Sequence, residues 1–289
     1  MRKAIITILL LLAFLIPAPA PAALLLNLST RVEIPPPFLG QDITSVIGGF
    51  IIGGTKSRKV LIRAIGPSLA DFGLVPLPDP TLVLYDATGT VLASNDNWMD
   101  TQETEIRDTL LQPGDPLESA IVMTLTPGTY TAIVKGHDPV PGNPMPGSGT
   151  ALVELYDLSP IIAQALVNIS TRGAVQGTAN PMIAGFILGN GDNVTILLRA
   201  LGPSLNPFGL SGLSDPRLDL LDGEGNLLAS NDNWQDTQSG DIAATGLAPA
   251  DAAEAAILIN LPRGTYTAVL SPVDSQAHGT ALAELYKLE

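Results

Sequence analysis

One segment of the chain occurs twice. Residues 92–98 read Leu-Ala-Ser-Asn-Asp-Asn-Trp, and residues 228–234 repeat the same letters 136 positions later. The two tryptophans of the protein end these two copies, and both copies run on to Asp-Thr-Gln after one further residue. Similar matches continue along the chain at the same offset. Such internal similarity at a fixed period indicates two copies of one structural unit.

The N-terminus has the composition of an export signal. A short basic start is followed by an apolar run over 4–16 and by Pro-Ala repeats over 17–22. We predict a signal peptide over 1–22 that is cleaved after Ala22. The alternative is an uncleaved membrane anchor, but the apolar run is shorter than the roughly 20 residues that span a bilayer. The protein is therefore expected to be secreted or displayed at the cell surface, with no membrane span after cleavage.

Composition narrows the classes of partner and of stabilising bond. The chain has no cysteine, so a lipid-anchored lipoprotein and a disulfide framework are both excluded. Without the predicted leader it carries 28 acidic and 12 basic residues, a formal charge of −16. This charge argues against nucleic acid and against anionic membrane surfaces as partners. It suits either a soluble extracellular protein or one that binds divalent cations.

The paired segments have the pattern of short strands. Residues 26–31 and their counterpart 167–172 alternate apolar and polar side chains, as half-buried strands do. Each unit holds seven or eight such segments and is large enough for its own core. We predict an all-β fold of two tandem antiparallel β-sandwich, jelly-roll-like domains, arranged as separate beads. The predicted boundaries are a signal peptide at 1–22, repeat 1 at 23–158, a linker at 159–165 and repeat 2 at 166–289.

Two local differences separate the repeats. Residues 101–111 form the one plausible helical turn of repeat 1, whereas 237–247 contain Gly240 and Gly246 and are expected to form a loop or one weak turn. The offset falls from 136 to 130 at the last strand, so repeat 1 has six extra residues within 139–148. The prolines and glycines of that insertion predict a surface loop.

Signatures of catalysis are weak. The two histidines, His137 and His278, lie in unlike contexts within the variable loop before the last strand of each repeat. Ser68 and Ser204 lie in Gly-Pro-Ser-Leu and lack the Gly-x-Ser-x-Gly turn of serine hydrolases. No phosphate loop or zinc motif is present. We therefore expect no catalytic residues, and a hydrolase with an unrecognised site is the alternative.

Charged residues lie inside otherwise apolar strand faces. Arg63 shares a face with Leu61 and Ile65, and Glu154 lies between apolar neighbours on its own strand. Because a buried ion that loses its partner costs about 3–5 kcal/mol, we predict one structural ion pair per repeat. The predicted pairs are Arg63 with Glu154 and Arg199 with Glu284. A ligand-binding arginine is the alternative.

The duplicated polar loop is a candidate metal site. Asparagine and aspartate oxygens in a tight loop suit calcium, which takes six to eight oxygen ligands. Nearby carboxylates at 79 or 86, and at 215 or 222, can complete such a site. Alternatively, these residues close turns by bonding their own backbone. The candidate calcium ligands are Asp86, Asn95, Asp96, Asn97, Asp222, Asn231, Asp232 and Asn233.

The tryptophans that end the loops have two interpretations. An exposed Trp98 or Trp234 beside polar residues can stack on a sugar ring and so bind a carbohydrate ligand. A tryptophan can also cap the open end of a sandwich, where its large surface is buried and its N–H finds a carbonyl. The sequence favours the cap.

The motifs together resemble a known group of bacterial modules. Residues 84–97 read Leu-Tyr-Asp-x-x-Gly-x-x-Leu-Ala-Ser-Asn-Asp-Asn, and 127–131 read Pro-Gly-Thr-Tyr-Thr. This pattern resembles the bacterial pre-peptidase C-terminal domain. Together with Asn-x-Ser-Thr-Arg and Arg-Ala-x-Gly-Pro-Ser-Leu, it more closely resembles an uncharacterised β-sandwich repeat of secreted bacterial proteins. The resemblance implies a module that helps exported proteins in binding or secretion, and it implies no catalytic residues.

The sequence therefore favours an exported, non-catalytic binding or structural module of the cell surface or extracellular space. An extracellular glycan or a surface protein is the expected kind of partner. The first alternative is a calcium-dependent carbohydrate-binding protein that uses the Asn-Asp-Asn-Trp loops, and the second is the hydrolase. Acidic and tryptophan side chains gathered on one exposed rim would favour the first alternative.

Overall fold

The computed structural model describes residues 25–35, 44–137, 147–159, 166–189 and 191–288. The predicted leader, nearly all of the predicted linker and most of the 139–148 insertion lie outside these residues. Within the described residues, no helix is both long and apolar enough to cross a lipid bilayer.

Sixteen strands and four short helices make up the described chain. Strands of repeat 1 are β1 (Leu25–Ile34), β2 (Val46–Ile52), β3 (Arg58–Ile65), β4 (Pro80–Asp86), β5 (Val91–Asn95), β6 (Ser119–Leu125), β7 (Gly128–Gly136) and β8 (Gly149–Asp157). Strands of repeat 2 are β9 (Leu166–Gln176), β10 (Met182–Leu188), β11 (Val194–Leu201), β12 (Pro216–Asp222), β13 (Leu227–Asn231), β14 (Ala255–Leu261), β15 (Gly264–Pro272) and β16 (His278–Lys287). The α-helices are α1 (Glu103–Asp108) and α2 (Ser239–Ala244), and 3₁₀ helices span Pro67–Phe72 and Pro203–Phe208.

The second helical segment, expected as a loop or one weak turn, is a short helix of the same length as the first. Repeat 2 forms α2 over the same number of residues as α1, despite the glycines at 240 and 246. Each helix buries one isoleucine, Ile106 or Ile242, against the sheet. Tertiary packing of that side chain outweighs the low helix propensity of glycine.

All sheet pairings between these strands are antiparallel, and they form two eight-stranded sheets. One sheet has the order β6-β3-β8-β1-β10-β15-β12-β13, and the other has the order β14-β11-β16-β9-β2-β7-β4-β5. A short pairing of Glu33 with Ala174 joins β1 to β9. The inward side chains of the two sheets share one continuous apolar core. The predicted all-β sandwich class is therefore confirmed.

The repeats are not closed as two separate beads, which corrects the expected arrangement. Each sheet takes four strands from repeat 1 and four from repeat 2. The crossing points are β1 with β10, where Leu28 is opposite Phe186, and β2 with β9, where Phe50 is opposite Ile169. The first strand of each repeat thus pairs with the second strand of the other repeat, and backbone hydrogen bonds join the two repeats.

The Asn-x-Ser-Thr-Arg segments form this junction. The hydroxyls of Thr30 and Thr171 are 2.9 Å apart and buried at the contact between β1 and β9. Ser170 of repeat 2 lies against Gly49, where an added Cβ would be 2.8 Å from its Oγ. Ser29 lies against Gly185 in the reciprocal contact, at 2.7 Å. The small residues therefore allow the strands of different repeats to pair closely.

A second layer covers the outer face of two of the four-stranded halves, β6-β3-β8-β1 in one sheet and β14-β11-β16-β9 in the other. Residues 96–118 in repeat 1 and 232–254 in repeat 2, here called the cover segments, connect β5 to β6 and β13 to β14. In repeat 1 the cover segment packs Trp98 and Ile106 over Leu61 of β3 and Val122 of β6. The alternation of β3 explains this, because its other face, with Ile62, belongs to the main core.

Candidate functional site

The structure brings together both predicted ion pairs. Arg63 and Glu154 are direct neighbours on β3 and β8, and Arg63 Nε donates to Glu154 Oε2 at 2.8 Å. Arg63 Nη2 also donates to that oxygen, and the Tyr156 hydroxyl donates to Glu154 Oε1 at 2.8 Å. Arg63 Nη1 donates to the Leu111 carbonyl at 2.6 Å. The arginine thereby ties the sheet to the cover segment.

Repeat 2 has the same network. Arg199 Nε donates to Glu284 Oε2 at 2.8 Å, and Arg199 Nη1 donates to the Leu247 carbonyl at 2.6 Å. Burial, followed by the negative charge of the neighbouring glutamate, raises the pKa of Tyr156 and of Tyr286 to about 12. Because the donors and acceptors of each network are used within the protein, these arginines serve the fold.

A second buried carboxylate was missed by sequence reasoning. Glu118 is fully buried, and its oxygens accept hydrogen bonds from four backbone N–H groups, those of Gly66, Ser68, Gly114 and Asp115. It therefore clasps the Gly-Pro-Ser-Leu turn to the end of the cover segment. The available signal was an acid directly before an apolar strand in both repeats.

Glu254 makes the equivalent clasp in repeat 2. It accepts from the backbone N–H groups of Gly202, Ser204 and Asp251 and from the Ser204 hydroxyl, the last at 2.6 Å. The Ser204 hydroxyl therefore donates its hydrogen bond to a carboxylate and not to a histidine. His278 Nδ1 lies 3.4 Å from the Gln276 carbonyl, whereas His137 contacts Asp96. The histidines thus have unlike surroundings.

The asparagines of the duplicated loop hold backbone groups. Asn95 is buried, its Oδ1 accepts from the Ala120 N–H at 2.9 Å, and its Nδ2 donates to the Asn97 carbonyl at 2.9 Å. Asn231 makes the same bonds to Ala256 and to Asn233. These amides join the loop to β6 and β14, so the prediction of Asn95 and Asn231 as calcium ligands is corrected: their oxygens are engaged.

Other predicted metal ligands are also placed elsewhere. Asp86 ends β4 at the tip of the β4–β5 hairpin, far along the strand from Asp96, because Leu82 and not Asp86 pairs with Asn95. Asp86 Oδ1 accepts from the Thr88 hydroxyl and from the Thr88 and Thr90 N–H groups, and these bonds, the hydroxyl's first, lower the pKa of Asp86. It closes a turn.

Asp222 has the same role at the tip of the β12–β13 hairpin. Its carboxylate accepts from the Asn226 side chain and from the Glu224 and Asn226 N–H groups. The hydrogen bond from the Asn226 side chain is the main reason that the pKa of Asp222 is lowered. Asp86 and Asp222 therefore do not join the polar loops in a metal site.

The two tryptophans lie in equivalent places with different exposure. Trp98 is 4% exposed, and its Nε1 donates to the Asp115 carbonyl at 3.1 Å. Trp234 makes the same bond to Asp251 but is partly exposed. The guanidinium of Arg107 covers the ring of Trp98 at 4.8 Å from its centroid. Trp98 thus has no open face for a sugar ring, which corrects its prediction as a ligand-binding residue.

Three side chains that could bind a metal ion meet at one end of the strands of repeat 1. Asp79 precedes β4, Asp96 follows β5 and His137 follows β7, and these three strands are neighbours in the sheet. Asp96 Oδ1 and His137 Nδ1 are 2.9 Å apart, and one ligand atom from each of the three residues lies within 4.8 Å of the others. Burial and then the negative charge of Asp96 raise the pKa of Asp79, which the charge of His137 partly offsets.

Repeat 2 keeps the acids of this cluster without the histidine. Val273 donates its N–H to the Asp215 carbonyl at 3.0 Å, as His137 donates to the Asp79 carbonyl at 2.7 Å. Burial and then the charge of Asp232 raise the pKa of Asp215. The hydrogen bond and the charge of Asp219, and after them the charge of Asp232, raise the pKa of Arg217.

Large apolar side chains are exposed at equivalent places of both repeats. Phe72 and Phe208, at the ends of the two 3₁₀ helices, are 78% and 80% exposed. The edge strands β5 and β13 expose a pair of apolar residues each, at 91–92 and 227–228. Each of these strands pairs with one neighbour, and its other edge has no strand partner within the part of the chain that the structure describes.

The comparisons with known proteins give weak structural likenesses. No family model and no curated protein matches the chain. The atomic structure of Sulfolobus Turreted Icosahedral Virus is 13% identical over 92% of this chain and 89% of that chain, with a TM-score of 0.25. A DUF4785 family protein from Legionella pneumophila is 11% identical over 89% of this chain and 56% of that one, with a TM-score of 0.26. Similarities at this level carry no argument about function.

Proposed function

We propose that the protein is an exported, non-catalytic binding module that acts at the cell surface or in the extracellular space. The observation that carries the proposal is the pair of exposed phenylalanines, Phe72 and Phe208, at equivalent positions of the two repeats. An exposed aromatic ring offers a large contact area with few rotatable bonds, which makes it an effective binding anchor.

The support of these rings favours binding over chance exposure. Each phenylalanine ends a 3₁₀ helix that is anchored in the core by one leucine, Leu69 or Leu205. The clasp of Glu118 or Glu254 holds the start of the same helix through backbone hydrogen bonds. A ring on a fixed support loses little conformational freedom when it binds.

The charge of the chain restricts the partner. With a formal charge of −14 over the full sequence, an anionic polymer or membrane would be repelled. The remaining partners are a neutral glycan or a surface protein, and the exposed apolar pairs on β5 and β13 are further apolar contact positions. The predicted leader supports an extracellular location for that partner.

The test compares binding before and after removal of both rings. The chain from residue 23, wild type or with Phe72→Ser and Phe208→Ser together, is titrated onto isolated cell envelopes and onto a glycan array. We expect saturable wild-type binding that weakens about tenfold or more in the double variant, as for a central aromatic anchor. Leu110→Ser is the matched control, because Leu110 is 86% exposed but lies in the cover segment. Equal binding by the double variant and the wild type contradicts the proposal.

A further inference from the structure

We propose that Asp79, Asp96 and His137 bind one divalent transition-metal cation of the Zn²⁺ type, in repeat 1 alone. This site is independent of the proposed binding surface, because it uses none of the exposed apolar residues.

The sheet places the three ligands together. Pro80 of β4 pairs with Gly136 of β7, and Leu82 pairs with Asn95 of β5. The start of β4 therefore lies beside the ends of β5 and β7, so the residues that flank these strands meet at the same end of the sheet. The His137 N–H also donates to the Asp79 carbonyl at 2.7 Å, which fixes the backbone of one ligand against the other. The site thus rests on strand ends within a rigid sheet.

An unsatisfied oxygen points to a missing partner. Asp79 Oδ1 is buried from solvent and has no hydrogen-bond partner among the described residues. A buried carboxylate oxygen is normally hydrogen-bonded or paired with a cation, because its desolvation is otherwise uncompensated. A bound cation supplies that missing partner.

The ligand set selects the type of metal. One imidazole nitrogen and two carboxylate oxygens match Zn²⁺ and related transition metals, whereas Ca²⁺ takes oxygen ligands in larger number. The side chains of His137 and Asp96 are 46% and 36% exposed, so a cation can enter from solvent and water can complete its coordination. The hydrogen bond between these two side chains is replaced by bonds from each to the metal.

Repeat 2 is a natural control for this site. It has Asp215 and Asp232 at the equivalent places, and Asp215 Oδ1 is likewise buried without a partner among the described residues. The unpartnered oxygen is therefore common to both repeats, and the histidine is what distinguishes the site of repeat 1. The third position is Val273, which has no ligand atom. The positive charge of Arg217 near Asp232 further disfavours a cation there. Both repeats thus have the two aspartates, but only repeat 1 adds a nitrogen ligand, His137.

The experiment is calorimetric titration of Zn²⁺ into the metal-free chain from residue 23. We expect one saturable site in the wild type, with affinity reduced at least about tenfold by His137→Val and by Asp79→Asn. Asp215→Asn is the matched control and should leave both stoichiometry and affinity unchanged. Far-ultraviolet circular dichroism of each variant shows whether it remains folded.

Three results would overturn the proposal. The first is the absence of saturable binding at 100-fold molar excess of Zn²⁺. The second is binding by folded His137→Val and Asp79→Asn with wild-type affinity, which would place the metal elsewhere. The third is saturable binding of Ca²⁺ but not of Zn²⁺, which would refute the nitrogen ligand. None of these results bears on the Phe72 and Phe208 surface, so the two proposals fail separately.

Discussion

The two cover segments have the same frame but different outer faces. Both are held by an arginine from the sheet, by a buried glutamate clasp and by an asparagine that joins the loop to the next strand. Arg107 covers Trp98 and bonds Glu103, whereas the equivalent positions of repeat 2 are Ala243 and Ser239. The buried contacts are those that determine the fold, so a duplicated chain can vary the exposed ones independently.

The strand ends differ in the same way. Repeat 1 has His137 beside its two acids, whereas repeat 2 has Val273 there and an arginine at 217 where repeat 1 has Thr81. The backbone bonds at this end are nevertheless equivalent in the two repeats. A shared backbone therefore carries two different charge environments. The following substitutions test whether the frame is equivalent and where the repeats diverge.

The largest effect is expected from removal of a glutamate clasp. Glu118→Ala leaves four backbone N–H groups without their acceptor in a buried site, and we expect a loss of about 3–5 kcal/mol of unfolding free energy. Urea unfolding followed by tryptophan fluorescence measures it. Glu254→Ala should match it within about 1 kcal/mol, and both should shift one shared transition, because the sheets cross both repeats. Two separated transitions would show that the repeats unfold independently.

The two tryptophans should contribute different amounts to the free energy of unfolding. Trp98→Ala removes a buried ring that is covered by Arg107, and we expect a loss of about 3–4 kcal/mol, as for other buried tryptophans. Trp234→Ala should cost about 1–2 kcal/mol less, because that ring already meets solvent. Arg107→Ala tests the cause and should cost about 0.5–1 kcal/mol, the strength of a cation–π contact near the surface. Equal losses for the two tryptophans in urea unfolding would refute the difference in burial.

Alkaline pH should lower the free energy of unfolding by similar amounts through the tyrosine of each repeat. The pKa of Tyr156 and of Tyr286 is raised to about 12 from the ordinary 10.0, so the fold favours the neutral hydroxyl. This contribution is complete below pH 10 and is lost as pH rises from 10 to 12. We expect about 1–2 kcal/mol for each tyrosine, less than the full value for two pKa units because both are partly solvated.

Ultraviolet titration of the tyrosines, together with urea unfolding at several pH values, measures this effect. Each of the variants Tyr156→Phe and Tyr286→Phe should reduce the loss of stability between pH 10 and 12 by a similar amount. A titration in which all five tyrosines of the chain ionise near pH 10 would contradict the buried network.

The sequence predicted local structure better than pairing. The alternation along β3 and β8 was enough to place Arg63 and Glu154 on one face, because a strand has a period of two. It did not indicate that β1 pairs with β10, since β1 and β9 have nearly the same pattern and an edge of either repeat offers the same backbone bonds. Strand pairing within a repeat and strand pairing between the repeats differ only in the chain connections and in how closely the side chains pack.

The candidate site shows the same limit. Asp79, Asp96 and His137 are far apart in sequence, and the order of three strands is needed to bring them to one edge. The duplicated loop drew attention to residues that hold backbone groups, because a repeated motif marks a structural requirement as readily as a binding site. The sequence places the two histidines in unlike contexts and so gives no sign of a shared role, yet this difference is what makes the two strand ends chemically distinct.

The smallest effect should come from one backbone position that the repeats treat differently. Leu110 has a φ of 59°, and its counterpart Gly246 has a φ of 72°, so both residues end a helix in the left-handed region. A leucine is strained there by about 1–2 kcal/mol, and glycine relieves this strain at some cost in unfolded-chain entropy. Leu110→Gly should therefore stabilise the protein by about 0.5 kcal/mol, since its exposed side chain contributes little packing. Gly246→Leu should destabilise it by about 1 kcal/mol, measured as opposite shifts of the urea midpoint at unchanged slope. Shifts in the same direction would mean that side-chain contacts, not backbone conformation, decide the residue at this position.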